Sequence, residues 1–301
     1  MGLYHPYISV LLPVYNYQNL RPTINSILSQ TYENFELLIC DDGSTQTLKL
    51  PIINDKRIKF FKNEQNIGLG STLNRLLSFS NKESHYFCTI EQDDLYKPYF
   101  LETCVSFLNE NQDYGLVSGI SEFWDGEKVT YKFPGIIAKG FEYPIGREMF
   151  LLNFLEQIKV AQTCMMVRKS VHFDNNLQFS IKYPSLSMDW DYILRFSLIS
   201  KIKGIQKTFV VQDRRPNRSS LTTKTILVSS TARRLLKDFY DEFPNIITKK
   251  DYKYALATQL YRELGNYRFL SRIKIFLVNI LLLDPDKKRI LKRINKELKI
   301  I

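Results

Sequence analysis

Short apolar runs and longer amphipathic segments follow one another along most of this chain. Runs of five or six apolar residues predict strands buried on both faces of a sheet, whereas apolar residues recurring every three or four positions predict one face of a helix. In the first 100 residues, the pattern predicts strands at 8–12, 35–40, 57–62 and 86–90, with helices at 20–30 and 70–79.

This alternation predicts an α/β fold. A strand, a helix and a second strand within about 35 residues form a βαβ unit with a right-handed crossover. The pattern continues with helices at 99–109, 147–158 and 188–200, strands at 115–119, 164–168 and 205–211, and strands and loops over 120–146. We therefore expect a mostly parallel central sheet flanked by helices.

The C-terminal part of the chain has a different pattern. It predicts amphipathic helices at 225–242, 249–264, 268–283 and 286–299, and it holds 18 Lys and Arg against 8 Asp and Glu. Nearly all of the net charge of +11 lies there. We expect two parts, a catalytic α/β domain over residues 1–222 and a basic helical region over 223–301.

Composition indicates a globular protein of the cytoplasm. Hydrophobic residues make up 44% of the 301 residues and charged residues 24%, which is ordinary for such proteins. The four cysteines have no metal-type spacing, so we expect reduced, buried thiols. The N-terminus does not resemble a signal peptide, and the longest apolar run, 275–283, is shorter than the ~20 residues that span a bilayer.

Three acidic residues follow the predicted strand at 86–90, just before Pro98. Carboxyl ends of parallel strands meet at one edge of a sheet, where α/β folds bind ligands. Glu91 and Asp93 point the same way on an extended chain, and Asp94 follows directly. Carboxylate oxygens of this kind are suited to Mg²⁺ or Mn²⁺.

Other common chemistries are not indicated. The sequence contains neither a dinucleotide-binding glycine motif nor a phosphate-binding P-loop, its three histidines are scattered, and no nucleophile elbow occurs. The remaining candidates are carboxylates: Asp41 and Asp42 after the second strand, the acids after the fourth strand, and Asp189 and Asp191 at a predicted helix start.

These residues carry a resemblance to family 2 glycosyltransferases with the GT-A fold. The matching segments, in the order of the family, are Ile8–Asn16, Ser26–Thr45, Asn66-x-Gly68 with Leu73-Asn74, Glu91-x-Asp93-Asp94 with Pro98, and Met188–Asp191 with Arg195. The resemblance covers roughly residues 7–222. It implies a Rossmann-like nucleotide-binding sheet.

The resemblance also implies roles for single residues. The nucleotide site would be lined by Pro13, Tyr15, Asn16, Asp41, Asp42, Asn66, Gly68 and Arg215, with the Tyr15 ring beside the base and Asp42 bonded to it. Asp93 resembles the metal-binding aspartate, supported by Glu91 and Asp94. Asp189 resembles the general base that acts on the acceptor hydroxyl.

The implied activity is transfer of a sugar, with inversion, from a nucleotide-diphosphate donor that most often carries uracil. A divalent cation, Mn²⁺ or Mg²⁺, would stabilise the charge of the leaving diphosphate. A carboxylate on the opposite face would deprotonate the acceptor, a hydroxyl of a glycan or of a lipid-linked saccharide, as in bacterial surface-polysaccharide assembly.

The chain departs from the family pattern at three positions. Glu91 stands where an aspartate is usual, Met188 where a glutamate is frequent, and Leu73 where many relatives carry an arginine that contacts phosphate. Arg214, Arg215 or Arg218 is a candidate to replace that contact. Trp190 is a candidate either for the core or for an acceptor platform.

Two other functions stay open on the sequence alone. A sugar-phosphate nucleotidyltransferase would share the nucleotide-binding layout, and a basic nucleic-acid-binding module would use the charged C-terminal region. We expect no nucleic-acid partner, because the positive charge lies outside the domain that holds the acids. The helices at 268–283 and 286–299 instead suggest peripheral attachment to an anionic membrane, with packing on the catalytic domain as the alternative.

Overall fold

The computed structural model describes residues 5–48, 53–156, 160–183, 185–215 and 225–264. These residues form two compact units. One comprises the described residues up to 145 together with 160–215, and the other comprises 146–156 together with 225–264.

The first unit contains a nine-stranded mixed sheet. Its strands are β1 (Tyr7–Val14), β2 (Phe35–Asp41), β3 (Ile58–Lys62), β4 (Ser84–Thr89), β5 (Asp94–Tyr96), β6 (Tyr114–Trp124), β7 (Val129–Phe133), β8 (Met166–Arg168) and β9 (Lys201–Asp213). They lie in the order β3-β2-β1-β4-β8-β6-β9-β5, and β7 pairs with β6 beside this path.

Helices connect these strands. In the first unit they are α1 (Arg21–Leu28), α2 (Leu69–Phe79), α3 (Phe100–Glu110), α4 (Gly135–Ala138), α6 (Lys169–Asp174) and α7 (Ser185–Ser197), with a 3₁₀ turn at Gln162–Cys164. The second unit contains α5 (Gly146–Leu151), a π-helical turn at Leu152–Glu156, α8 (Thr225–Glu242) and α9 (Lys249–Leu264).

The two halves of the sheet differ in strand direction. β3, β2, β1 and β4 are all parallel, as the βαβ pattern predicts. Beyond β4 the sheet is mixed: β8 runs antiparallel to both of its neighbours, and β9 is parallel to β6 but antiparallel to β5. The first half therefore brings the carboxyl ends of β1, β2 and β4 to one edge.

Apolar strands supply the core of the first unit. Every residue of β2 is buried, and β1 is buried over most of its length. One large cluster packs β1 and β2 against α1 and α3, through residues that include Val10, Leu37, Ile24, Ile27 and Phe100. The four cysteines are free and buried, as expected.

In the second unit, α8 and α9 have the bounds that the periodicity predicts. A reciprocal capping box begins α9: Thr248 N–H donates to Asp251 Oδ2 (3.1 Å), and Asp251 N–H donates to Thr248 Oγ1 (3.1 Å). Arg147 donates to both carboxylate oxygens of Asp251, at 2.8 and 2.7 Å. The helices predicted at 268–283 and 286–299 lie outside the described residues.

Among the described residues, no helix combines the length and apolar character needed to cross a membrane.

Candidate active site

The acidic run after β4 is fixed at both ends by strand pairing. At its start, Ile90 N–H donates to the Leu11 carbonyl of β1 (3.1 Å). At its end, Asp94 opens β5 and lies in register with Gln212 of β9. Between these points the chain turns, and oxygens of Glu91, Asp93 and Asp94 come within 4.8 Å of one another.

Burial and neighbouring negative charges raise the pKa of two of these acids, Glu91 and Asp94. The pKa of Asp94 lies well above its usual value, first because the group is buried and then because Glu91 and Asp93 are negatively charged. Glu91 is exposed as a residue, but a carboxylate oxygen of it lies within 4.8 Å of oxygens of Asp93 and Asp94. Its pKa is also raised, to about 7, by desolvation, then by Asp93 and more weakly by Asp189, while Arg214 opposes the shift.

A divalent cation fits this donor set. Asp94 Oδ2 is buried and lacks a hydrogen bond of normal geometry among the described residues, although the nearby Thr163 hydroxyl lowers the pKa of Asp94. Three carboxylates whose oxygens lie within 4.8 Å of one another repel each other, and a bound cation would relieve that repulsion. The oxygens are hard ligands of the kind that Mg²⁺ and Mn²⁺ prefer.

Asp189 lies on α7, close enough to the acidic run for its charge to raise the pKa of Glu91. It occupies the second turn of this helix, not its start, so an interaction with the helix dipole does not explain it. The next acid along, Asp191, is buried and pairs with Arg195 (2.9 Å). Of the two aspartates, Asp189 is therefore the one positioned toward the acidic run.

The neighbours of Asp189 on α7 belong to the core. Met188 and Trp190 are both buried, at 0% and 2% exposure. Trp190 thus packs as a core residue and does not form an exposed platform. Leu73, which stands at the position of a phosphate-binding arginine in many relatives, is also fully buried.

The loop after β1 is tied to two other strand ends. Tyr15 N–H donates to Gln92 Oε1 within the acidic run (2.8 Å), and the Tyr15 side chain is exposed. Asn16 adopts a left-handed backbone with φ of 50°, and its Oδ1 accepts a hydrogen bond from Thr45 N–H (2.9 Å). Pro13, within β1, is half-buried and lies in register with Cys40 of β2.

Asp42, at the end of β2, organises the loop that leads into α2. Its Oδ1 accepts hydrogen bonds from Asn63 Nδ2 (2.8 Å) and Ile67 N–H (3.0 Å), and its Oδ2 accepts one from Gly68 N–H (3.0 Å). Gly68 has a φ of +86°, which favours glycine. Asn66 is exposed beside it. The carboxylate is buried and already bonded to protein.

Close approach of backbone also requires glycine at position 43. A Cβ atom there would lie 2.2 Å from the Gln65 carbonyl carbon. Asp41 accepts a hydrogen bond from Ser44 N–H at Oδ1 (2.9 Å), which closes the turn after β2. Asp41 and Asp42 therefore both stabilise turns at this edge of the sheet by accepting backbone hydrogen bonds.

The two arginines after β9 have different surroundings. Arg215 is exposed and pairs with Asp213 (2.5 Å), with its guanidinium 5.6 Å from the centre of the Trp124 ring. Arg214 lies 4.8 Å from the centre of the Phe123 ring, and its charge opposes the raised pKa of both Glu91 and Asp94. Arg214 is therefore the arginine nearer the acids, and Arg218 lies outside the described residues.

Sequence reasoning did not single out Gln92. Its side-chain carbonyl accepts the Tyr15 N–H, and its backbone carbonyl accepts the Thr23 hydroxyl (2.9 Å). Gln92 thus joins the acidic run to the loop after β1. The only feature of the sequence that could have indicated Gln92 is its position between Glu91 and Asp93, two candidate metal ligands.

The chain is similar to three known proteins, one in sequence and two in structure. WfgD of Escherichia coli, a UDP-Glc:α-D-GlcNAc-diphosphoundecaprenol β-1,3-glucosyltransferase, is 24% identical over 72% of this chain and 79% of its own length. S. aureus TarS 1–349 in complex with UDP-GlcNAc has a TM-score of 0.65 at 18% identity, over 86% of this chain and 72% of TarS. The mannosyltransferase PcManGT of Pyrobaculum calidifontis, in complex with GDP-Man and Mn²⁺, has a TM-score of 0.60 at 14% identity, over 93% of this chain and 81% of PcManGT.

The first curated relatives that the chain matches are glycosyltransferases, and the chain spans between 32% and 66% of their length. The structural similarities confirm the expected GT-A fold. The sequence profile described as Glycosyl transferase family 2 matches residues 9–174, more than half of the chain. This chain belongs to glycosyl transferase family 2.

Proposed function

We propose that this protein transfers a sugar, with inversion at the anomeric carbon, from a UDP-linked donor to a hydroxyl of a glycan or of a lipid-linked saccharide. In this proposal residues 1–222 form the catalytic domain, and 223–301 form a basic helical extension. The observation that carries it is the cluster of Glu91, Asp93 and Asp94 within reach of the charge of Asp189. Family membership favours this function over a nucleotidyltransferase or a nucleic-acid-binding module.

The donor site lies at the ends of β1 and β2. Tyr15 offers an exposed ring for the base, and the bonds of Asn16, Asp41 and Asp42 hold the surrounding turns. UDP is favoured because it belongs to the donor of WfgD and to the ligand bound to TarS. Pro13, Asn66, Gly68 and Arg215 complete the proposed donor site.

Asp93, with Glu91 and Asp94, would hold the cation. When bound, Mn²⁺ or Mg²⁺ would supply Lewis-acid stabilisation to the departing diphosphate, and PcManGT was obtained with Mn²⁺. Asp93 is partly exposed and can reach a ligand, whereas Asp94 is anchored by the pairing of β5 with β9. The protein's own contribution is to hold three oxygens in place before the substrate arrives.

Asp189 is the proposed general base. Its Oδ1 accepts a hydrogen bond from Trp190 N–H (2.9 Å), which orients the carboxylate. A base on the side opposite the leaving group removes the proton of the acceptor hydroxyl as that oxygen attacks, and such assistance is typically worth ~10²–10⁴ in rate. Attack from that side inverts the anomeric configuration.

A thermal-shift screen tests the donor and metal parts. UDP, UDP-Glc and UDP-GlcNAc should raise the melting temperature of the full chain more with Mn²⁺ than without it, because ligands that bind only the folded state stabilise it. Asp93→Ala should lose the Mn²⁺-dependent part, whereas the exposed surface variant Asp113→Ala should keep it. If no nucleotide raises the melting temperature under any condition, the proposal is wrong.

A second experiment tests the base. Asp189→Asn should keep the donor-dependent thermal shift but lose ~10²–10⁴ of the transfer rate. The anomeric proton of the first-formed product, followed by NMR, reports inversion directly. Transfer by Asp189→Asn at the wild-type rate would remove Asp189 from this role.

We also propose that the protein works on the cytoplasmic side of a membrane, attached peripherally by its basic C-terminal segment. The support is the basic cluster Lys287, Lys288, Arg289, Lys292 and Arg293 beside an apolar segment. Vesicles containing phosphatidylglycerol should bind the full chain, and salt should weaken that binding steeply. Binding that is absent, or that survives replacement of these five residues by glutamate, would contradict the attachment.

A further inference from the structure

Asn63 is a buried residue directly after β3, and its side chain joins the end of β2 to helix α2. The residue is 1% exposed, and its backbone N–H donates to the Asp41 carbonyl at 2.8 Å. The side-chain Nδ2 donates to Asp42 Oδ1 (2.8 Å) and to Thr72 Oγ1 (3.0 Å), and Oδ1 accepts a hydrogen bond from Arg75. The family resemblance gave no role to Asn63 or to Arg75.

The chemistry of these neighbours allows only one orientation of the Asn63 amide. An ionised carboxylate only accepts hydrogen bonds and a guanidinium only donates them, so Nδ2 faces Asp42 and Oδ1 faces Arg75. Turning the amide over would place donor against donor at Arg75 and acceptor against acceptor at Asp42. The two contacts therefore depend on each other, because one amide makes both of them.

Helix α2 supplies two of the contacts of this amide. Thr72 and Arg75 are three positions apart, so their side chains lie on the same face of the helix. Thr72 is fully buried, whereas Arg75 is exposed and its guanidinium lies 5.4 Å from the centre of the Phe79 ring. Among the described residues, the Arg75 side chain forms a hydrogen bond with Asn63 and none with Asp42. Any effect of this hydrogen bond on Asp42 therefore passes through Asn63.

The hydrogen bonds of Asp42 leave one acceptor position, which is on Oδ2. Each oxygen of a carboxylate has about two lone-pair positions. Oδ1 accepts from Asn63 Nδ2 and the Ile67 N–H, which fills both positions. Oδ2 accepts only from the Gly68 N–H among the described residues. A further donor, such as the ring N–H of a base, would therefore bind at Oδ2.

We propose that Asn63 and Arg75 are positioning residues for recognition of the donor's base: Arg75 fixes the Asn63 amide, which holds Asp42 so that Oδ2 accepts the N3–H of uracil. This inference rests on the proposed function and adds the residues that determine which base is accepted. Uracil N3 carries a hydrogen, whereas cytosine N3 is an acceptor. An oxygen held in one direction rejects cytosine because two acceptors then face each other, and a carboxylate that can turn away rejects it less.

Calorimetric titration of the full chain with UDP and with CDP, each with Mg²⁺ present, tests this arrangement. The wild type should bind UDP more tightly than CDP. Arg75→Ala should weaken UDP binding by about 3- to 10-fold, the effect of one hydrogen bond, and CDP binding by less than about 2-fold. Arg75→Lys should keep most of the preference, because an ammonium group can donate the single hydrogen bond that Asn63 Oδ1 accepts.

The matched control is Lys82→Ala. Lys82 is exposed and lies just beyond the C-terminal end of α2, so this variant also removes one positive charge near the same helix. UDP and CDP carry the same diphosphate, and loss of a distant charge should change both affinities by the same factor. The ratio of the two affinities should therefore fall in Arg75→Ala and stay at the wild-type value in Lys82→Ala.

A double-mutant cycle tests whether Arg75 acts through Asn63. Asn63→Ala removes the amide and should lower the ratio of UDP to CDP affinity at least as much as Arg75→Ala does. In the Asn63→Ala background, Arg75→Ala should leave this ratio unchanged, because the side chain through which it acts is absent. An equal effect of Arg75→Ala in both backgrounds would overturn the proposal. If Asn63→Ala does not fold, the Arg75 variants decide alone, since that side chain is exposed.

The same titrations distinguish failure of this inference from failure of the proposed function. If the wild type binds UDP and Arg75→Ala keeps the wild-type ratio, the positioning role is wrong, whether both nucleotides bind more weakly or neither does. The proposed UDP-linked donor then stands. If the wild type binds neither nucleotide, the proposed function fails and this inference fails with it.

Discussion

Asp42 offers the sharpest test of how the donor site is held together. In Asp42→Ala, three donors lose their acceptor: the Asn63 amide and the backbone N–H groups of Ile67 and Gly68. A hydrogen bond to a charged acceptor contributes ~1.5–3 kcal/mol. Because Ile67 is exposed, water can replace part of this loss, and we expect the free energy of unfolding to fall by about 3 kcal/mol.

Thermal unfolding measures this loss. For a unit of about 200 residues, about 3 kcal/mol corresponds to a decrease in melting temperature of roughly 6–12 °C. Asp41→Ala removes one backbone hydrogen bond and should lower the melting temperature by less. A melting temperature of Asp42→Ala within about 2 °C of the wild type would refute the reasoning, because it would mean that the three bonds contribute almost nothing.

Nucleotide affinity separates positioning from direct contact. If Asp42 also accepts a hydrogen bond from the base, Asp42→Asn should change the preference for UDP over CDP, because uracil N3 is a donor and cytosine N3 an acceptor. If Asp42 only holds the loop around Gly68, both nucleotides should weaken by the same factor. An unchanged affinity for both would remove Asp42 from the donor site.

Two further predictions follow from the same unit. His172 is packed among aromatic rings, and burial lowers its pKa from 6.5 to about 4. At low pH the unfolded chain therefore binds a proton at this histidine that the folded state does not, and unfolding becomes more favourable. Between pH 7 and pH 5 the free energy of unfolding should fall by about 2 kcal/mol in the wild type, and His172→Phe should not show this decrease. The same pH dependence in both proteins, measured by urea titration, would contradict this. Gln92→Ala removes the acceptor of the Tyr15 N–H. We expect the KM for the donor to rise about 5-fold with a smaller decrease in kcat. If kcat falls by as large a factor as KM rises, the variant has a general defect and the prediction is wrong.

The parallel half of the sheet could be predicted because short stretches of sequence are enough to indicate its strands and helices. Each of the strands β1, β2 and β4 contains a short, mostly apolar run that is followed by polar residues, so both the strands and the edge at which they end follow from the pattern. The same local periodicity gave the bounds of α8 and α9. Asp42 and the acidic run could be found at the sheet edge for this reason.

The mixed half could not be predicted because it depends on long-range pairing. β5 is three residues within an acidic stretch, and only its pairing with β9 makes it a strand. β9 begins at Lys201, well before its apolar run, because its pairing with β6 extends through exposed polar residues. β8, also three residues long, lies antiparallel between β4 and β6, and no local signal gives that order.

The same difference applies to the three acids. The family resemblance gave Asp93 the metal-binding role with Glu91 and Asp94 in support, but the sequence pattern did not predict that Asp94 begins a strand. In the fold, the last of them belongs to a strand pair, while the first two occupy the turn that β4 leads into. The spacing between the acids therefore depends on the register of β5 with β9, and the same register positions Gln212 and, next to it, Phe123. A shift of β9 by one residue would turn Gln212 to the other face and change the position of Asp94 relative to the other acids.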